Sequence, residues 1–275
     1  MTGTIEVRDF ELQSSEGLPL RGVLHLPERA RAAVILVHGF KGFKQWGFFP
    51  WIAEQFATHG FAAIRFDMSR SGIGHHAETF DRLDLFRDDT YSIQIDDLHR
   101  VAEWATQLRD LDRIPLILFG HSRGGAVAIL AAQQTERLRC VVTWSAIAST
   151  DRWDDATKKA WRKAGELSVE NSRTGQVMPM SPRILDDLEA NRSRLDVLEA
   201  AKRIAVPLLV VHGGRDESVS TDDGRAIAGS APNSSLLIVE SGTHTFGAIH
   251  PLVHIPEDLS LANDATVRFI GSYVR

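Results

Sequence analysis

The stretch that decides the reading of this chain is Leu116–Ala132, LILFGHSRGGAVAILAA, in which an apolar run passes through Gly120-His121-Ser122-Arg123-Gly124 straight into an alanine-rich helical pattern. A short aliphatic run bounded by glycine reads as a buried strand, and the small apolar residues after it read as a helix packed against that strand. Only a sharp turn fits between them. Ser122 sits on that turn, flanked by glycines that let strand and helix approach closely. A serine so placed is exposed at a helix N-terminus, where the positive end of the dipole favours developing negative charge. Ser122 is therefore the candidate nucleophile. G-x-S-x-G alone arises by chance in many chains; the flanking strand and helix are what give it weight.

Outward from this point the same alternation repeats. Ala33–Val37, Ala62–Phe66, Cys140–Trp144, Pro207–Val211 and Leu236–Val239 are brief β-branched or aliphatic runs bounded by Gly, Pro or polar residues, as fully buried strands are. Helical patterns at Phe49–His59, Tyr91–Leu108 and Gly125–Gln134 are long enough to carry the chain between parallel strands. The fold class expected is α/β, a mostly parallel central sheet flanked by helices on both faces. Ahead of it, EVRDFELQSSEGLPLRGVLHLP alternates around Ser14–Gly17 and predicts an antiparallel hairpin at one sheet edge.

From about Thr150 to Lys202 the rhythm breaks, over a length too great for a plain connection. DRWDDATKKAWRKAGE places Trp153, Ala160, Trp161 and Ala164 at helical spacing, VENSRTGQVMPM reads as a small hairpin or loop, and Ser181-Pro182 opens a second helix. We expect residues 150–202 to form a cap inserted over the carboxyl edge of the sheet, where open α/β folds bind ligands, with residues 1–149 and 203–275 as the core domain. A peripheral decoration is the alternative.

Composition narrows the partners. A chain of 275 residues can bury roughly three quarters of its unfolded surface, enough for a deep core and an internal pocket. With 43% hydrophobic and 24% charged residues and a net charge of −5 there is no cationic excess to hold nucleic acid. No run of eighteen apolar residues suggests a membrane span, and MTGTIEVRDFELQSSEG lacks the apolar core of a signal peptide, so a cytoplasmic location is expected. Cys140, in CVVTW, is expected to be a buried, inert thiol. A homodimer is left open.

A serine hydroxyl needs a base within hydrogen-bond reach, and that base needs a third group to fix its tautomer. His244, in SGTHTFG just past the last strand, is placed to lean over the nucleophile; His250 and His254 are weaker candidates. His38, His121 and His212 adjoin strand ends, where a packed histidine with a backbone partner is the better reading. His75-His76 resemble a metal pair only superficially, since sequence neighbours do not converge on one ion without further ligands. For the orienting acid, VPLLVVHGGRDESV sets Asp216 in the turn after the penultimate strand, with Glu217, Asp222 and Asp223 as rivals. The resulting chain order is Ser122, Asp216, His244. An oxyanion hole requires two backbone N–H groups aimed at one point, and AAVILVHGFKG offers Phe40 to join Arg123.

With HGF at Phe40, GHSRG at Ser122, HGGRD at Asp216 and the histidine after the last strand at His244, the chain resembles the α/β-hydrolase superfamily. Within it, the chain is similar to short-capped serine carboxylesterases of the cinnamoyl and feruloyl esterase kind. FDMSRSGIG also looks like that family's D-x-x-G-x-G-type loop, which braces the sheet edge. The resemblance implies hydrolysis of a small-molecule ester through an acyl-enzyme, with no metal or organic cofactor. A serine aminopeptidase, an acyl-thioesterase and a non-catalytic binding homologue are the competing readings. Arg123 departs from the pattern of many relatives by setting a cation beside the nucleophile. It is expected to pair with a local acid such as Asp67, or else to bind a carboxylate of the substrate. Of Phe43, Trp46, Phe48, Phe49, Trp51, Trp153 and Trp161, most are expected in the core and some in the pocket wall.

Overall fold

The structure is a computed structural model that describes residues 4–74, 76 and 78–274. Among the described residues ten strands run in chain order as β1 (Ile5–Gln13), β2 (Pro19–Pro27), β3 (Ala32–Val37), β4 (Phe61–Phe66), β5 (Leu116–His121), β6 (Leu138–Trp144), β7 (Leu167–Asn171), β8 (Gln176–Met180), β9 (Leu208–Gly213) and β10 (Ser234–Val239). The helices are α1 (Phe49–Thr58), α2 (Leu83–Arg87), α3 (Tyr91–Gln107), α4 (Arg123–Ala131), α5 (Asp155–Ala164), α6 (Arg183–Ala190), α7 (Val197–Lys202), α8 (Thr221–Ser230) and α9 (Glu257–Tyr273). Eight strands form one sheet in the order β1-β2-β4-β3-β5-β6-β9-β10. The hairpin β1–β2 is antiparallel and joins β4 antiparallel, while every pairing from β4 to β10 is parallel.

The sequence runs are unbroken because both sheet faces are covered. Along β3, Ala33, Ile35 and Val37 pack toward α3 and α4, among Ile95, Leu98 and Val127. The alternate residues Ala32, Val34 and Leu36 pack toward α1 and α9, among Phe49, Ile52 and Ile270. With a side-chain period of two, a strand buried on both faces must be apolar at every position. All parallel strands then end at the same sheet edge, which gathers the loops after β3, β5, β6, β9 and β10 there.

The inserted region lies between β6 and β9. α5 begins at the N-cap Asp154, whose carboxylate accepts from Thr157 N–H at 2.7 Å, and closes on Gly165 in the left-handed conformation. The expected hairpin forms as β7–β8, a separate two-stranded sheet. The second helix starts one residue later than its sequence suggests, with Pro182 at the N-cap and Ser181 Oγ accepting from Arg183 N–H at 3.3 Å. Trp161 is buried between these pieces, donating to Met180 O at 2.8 Å and meeting Trp153 edge to face. β8 packs on α2 and α6 on α3, whereas α7 packs on α4 and α8. Among the described residues no helix is long and apolar enough to cross a membrane.

Candidate active site

Ser122 follows β5 with φ 57° and ψ −122°, a conformation that costs an L-residue about 1–3 kcal/mol. The surroundings impose it. A Cβ on Gly120 would lie 2.2 Å from the Gly124 carbonyl oxygen, and one on Gly124 would lie 2.3 Å from that of Val37. Because neither position admits a side chain, α4 presses directly onto β5 and β3 and the turn cannot relax. Ser122 N–H is anchored to Trp144 O at 2.9 Å.

β3 supplies the facing wall. His38 is buried, accepts from Met68 N–H at Nε2 (3.2 Å) and approaches Gly39 O with Nδ1 (3.0 Å). A neutral imidazole accepting at Nε2 carries its proton on Nδ1, so Gly39 O is the acceptor there. Burial favours that neutral form by lowering the His38 pKa. Gly42 N–H donates to the same carbonyl at 3.0 Å. With Gly39 C=O held by these donors, the Phe40 N–H on the opposite edge of the planar peptide points the other way. The loop lies close to the serine: a Cβ on Gly39 would be 3.5 Å from Ser122 Oγ. Among the described residues neither Phe40 nor Arg123 N–H donates to a backbone acceptor. Arg123 opens α4, so it has no intrahelical partner to donate to.

Asp216 lies three residues beyond β9, its side chain fully buried. Oδ1 accepts from Ser218 N–H (2.9 Å) and Val219 N–H (2.8 Å), and His244 Nδ1 lies 2.8 Å from Oδ2 and 3.0 Å from Oδ1. Burial alone would raise this carboxylate's pKa, but hydrogen bonds from His212 and His244 hold it well below the usual range. Among the described residues the His244 ring bonds Asp216 alone, leaving its other edge to the pocket it shares with Ser122. Among the described residues Ser122 Oγ makes no hydrogen bond to the His244 ring, a contact that in sites of this kind tightens only when substrate arrives.

His121 and His212 act as braces, a role that sequence could anticipate only as "packed with a backbone partner". His121 Nε2 lies 2.9 Å from His244 O, and burial pushes its pKa down to about 3, so it stays a neutral donor. His212 Nε2 bonds Val219 O at 3.1 Å and fixes the Asp216 loop. His250 Nδ1 accepts from Gly47 N–H at 2.9 Å, and His254 is exposed. Glu217 accepts from the backbone of His244 at 3.3 Å, and Asp222 and Asp223 lie in the first turn of α8, so none of the three reaches the His244 ring. Of the His75–His76 pair, His75 lies outside the described residues. Cys140 is buried, which pushes its thiol up to about 12.

The partner of Arg123 corrects the expectation. Asp67 is engaged by both the backbone N–H and the ammonium of Lys44, and Arg123 instead approaches Asp89 at 3.4 Å. Its guanidinium lies between the rings of Phe40 (4.4 Å) and Tyr91 (4.7 Å).

Ser122 and His244 open onto a pocket of two lobes. One is walled by Trp46, Phe49 and the β7–β8 turn at Asn171, Ser172 and Arg173; the other by Phe40, Tyr91, Arg123, Arg152 and Trp153. Phe43, Phe48 and Trp161 belong to the core.

This sheet order, with an inserted region above the carboxyl edge, is the α/β-hydrolase fold. Residues 28–192 match the family model described as serine aminopeptidase, S33, and the chain belongs to that family. An uncharacterized 31.7 kDa protein of the traX-finO intergenic region of Escherichia coli is 27% identical over 256 residues, covering 81% of this chain and 85% of that one. Thiohydrolase aneE of Aspergillus aculeatus is 30% identical over 135 residues, 49% of this chain and 40% of its own. Among solved structures, Est1E of Butyrivibrio proteoclasticus, also determined with ferulic acid bound, aligns with a TM-score of 0.70 at 20% identity over 96% of this chain and 98% of that one.

Proposed function

We propose that the chain is a serine carboxylesterase acting on small acyl or aryl-acyl esters, with Ser122 as nucleophile, His244 as base, Asp216 as orienting acid and the Phe40 and Arg123 N–H groups as oxyanion hole. The observation that carries this reading is the grip of Asp216 on His244 Nδ1 at 2.8 Å, in a pocket that Ser122 shares. A carboxylate at Nδ1 keeps the proton there and leaves Nε2 free to take one from the serine. Ser122 Oγ attacks the ester carbonyl as His244 accepts its proton, and the negative oxygen that forms is met by the two N–H groups. His244 returns the proton to the leaving alcohol. Water, deprotonated by the same ring, then releases the acid and restores the serine.

The lining of the pocket favours an ester over the peptide substrate that the family description suggests. An aminopeptidase must hold a free ammonium, for which a carboxylate is the usual partner. Both lobes instead present cations, Lys41 and Arg173 in one and Lys41, Arg123 and Arg152 in the other, with no acidic side chain among the lining residues. The thiohydrolase relative keeps a thioester reading as the second choice. We read residues 150–202 as a cap, because the β7–β8 turn reaches the pocket wall. A screen with p-nitrophenyl esters, aryl amides and acyl-CoA tests the proposal: ester turnover that disappears in Ser122→Ala is expected, and amide turnover exceeding it would overturn the ester reading.

A further inference from the structure

Arg123 is more deeply buried than a pocket cation ordinarily is, with 6% of its side chain exposed. A buried charge is tolerated when it is paired with good geometry. Here the pairing is poor. The Nη1–Asp89 Oδ2 distance of 3.4 Å is well beyond the 2.7–2.9 Å typical of a charge-assisted bond. Asp89 Oδ2 already accepts from Gln94 Nε2 at 2.5 Å, and among the described residues Oδ1 meets no donor, so no bidentate fork forms. Burial pushes Asp89 up to about 7, so near neutrality it offsets only part of the guanidinium charge. Among the described residues the five N–H donors thus have one long bond to a carboxylate and, beyond it, the neutral Tyr91 hydroxyl.

The neighbouring cations do not relieve the imbalance. Lys41 Nζ donates to a carbonyl oxygen, that of Glu170, at 2.9 Å. Arg152 donates to Ser218 O at 3.4 Å and stands 3.7 Å from Asp223, itself a poor ion pair. Phe40 and Tyr91 hold the Arg123 guanidinium as a plane between two rings, beside Ser122, without quenching its charge.

We infer that the lobe lined by Arg123, Lys41 and Arg152 is an anion subsite, and that the preferred substrate is an ester carrying a second, carboxylate group that Arg123 receives. Resting on the esterase reading above, this names the substrate class of the same site. A planar carboxylate offers the two acceptors that a guanidinium fork lacks here.

The test compares chain-matched esters that differ in charge. On the acyl side, p-nitrophenyl hydrogen glutarate is set against p-nitrophenyl valerate; on the alcohol side, 4-carboxyphenyl butyrate against phenyl butyrate. In at least one pair kcat/KM should favour the anion by about tenfold or more, equivalent to about 1.4 kcal/mol, and added salt should shrink the ratio. Arg123→Met should bring that ratio close to one. Because it is taken within a single protein, a general loss of activity cancels. Arg152→Gln should lower the ratio too and serves as the second variant if Arg123→Met does not fold. Ratios near one in both pairs, or a preference untouched by Arg123→Met, would overturn the subsite. Calorimetry of Ser122→Ala with the esters of both pairs separates the two proposals. Selective binding of the anion in either pair without turnover by the native protein sinks the esterase reading alone, whereas turnover with equal binding within both pairs sinks the subsite alone.

Discussion

Replacing Asp216 with asparagine tests the proposed triad at its most constrained point. Oδ1 accepts two backbone N–H groups, from Ser218 at 2.9 Å and Val219 at 2.8 Å, so the amide oxygen of the introduced side chain must occupy that position. The NH2 group then falls where Oδ2 was, 2.8 Å from His244 Nδ1 and 3.4 Å from His212 Nε2. Two donors cannot share that contact with a protonated Nδ1, so the His244 proton moves to Nε2. The ring nitrogen facing Ser122 then has no lone pair to accept the serine proton. Asp216→Asn should therefore lower kcat about 10⁴-fold, about 5.5 kcal/mol of transition-state stabilisation, with a much smaller effect on KM. The His212 N–H, which already bonds Val219 O at 3.1 Å, also meets a donor in the variant, so a modest drop in thermal stability is expected. Stopped-flow measurement on a p-nitrophenyl ester, with circular dichroism to verify the fold, reads both effects. A folded variant within tenfold of native activity would refute the tautomer argument, and greater damage from Glu217→Gln would move the acid to Glu217.

Three further outcomes follow from the same geometry. Ser122→Ala should abolish labelling by a fluorophosphonate and cut kcat by about 10⁴-fold or more, while Ser122→Gly, which tolerates φ 57°, should melt higher than the alanine variant by the equivalent of about 1 kcal/mol; equal melting temperatures would mean the turn is unstrained. Asp89, with a folded pKa of about 7 against an ordinary 3.8, binds more protons folded than unfolded across that window, so its contribution to stability falls as pH rises through it, by up to about 4 kcal/mol. Asp89→Asn should accordingly gain on the native protein as pH goes from about 4 to about 7, and urea midpoints showing a constant difference would count against it. Replacing residues 150–202 by a Gly/Ser linker should shift the kcat/KM ratio between a butyrate and an aryl-acrylate ester by about tenfold or more while a small organophosphate still reacts with Ser122; unchanged selectivity in a folded variant would make the segment peripheral.

The sheet and the chain order of the candidate triad were legible because each leaves a local trace. A strand buried on both faces has to be apolar at every position, as Ala32–Val37 is, and the turn at Ser122 requires glycines at 120 and 124, where backbone oxygens stand 2.2 and 2.3 Å from any Cβ. The partner of Arg123 left no such trace. Sequence offers Asp67 as the pairing acid, and the choice against it is made by Lys44, whose backbone and side chain engage Asp67 from 23 residues away. The brace from His121 to the His244 carbonyl spans 123 residues, so strand-end position alone could show that His121 packs but not what it holds. Helix α7 belongs by sequence to the inserted region, yet its buried Val197, Ala200 and Ala201 pack toward α4 and α8. The apolar stripe of a six-residue helix shows that a partner exists without saying which.

The inserted region and the loop after β3 are also mechanically joined. A two-stranded ribbon is marginal on its own, and β7–β8 is held by bonds to fixed parts of the core: Gln176 Nε2 to Phe80 O at 2.9 Å and Ser181 N–H to Arg87 O at 2.7 Å. The third tie, from Lys41 Nζ to Glu170 O at 2.9 Å, comes from the residue directly after Phe40. Lys41 has φ 56°, and Phe40 N–H is oriented through the Gly39 carbonyl that His38 and Gly42 hold. One short segment, His38 to Gly42, therefore orients the proposed oxyanion donor, carries a cation into both pocket lobes and tethers the hairpin that walls one of them. Placing these roles on adjacent residues couples them: a change in the hairpin should reach the proposed oxyanion donor through Lys41, while Ser122, Asp216 and His244 follow β5, β9 and β10 and should stay where the sheet puts them.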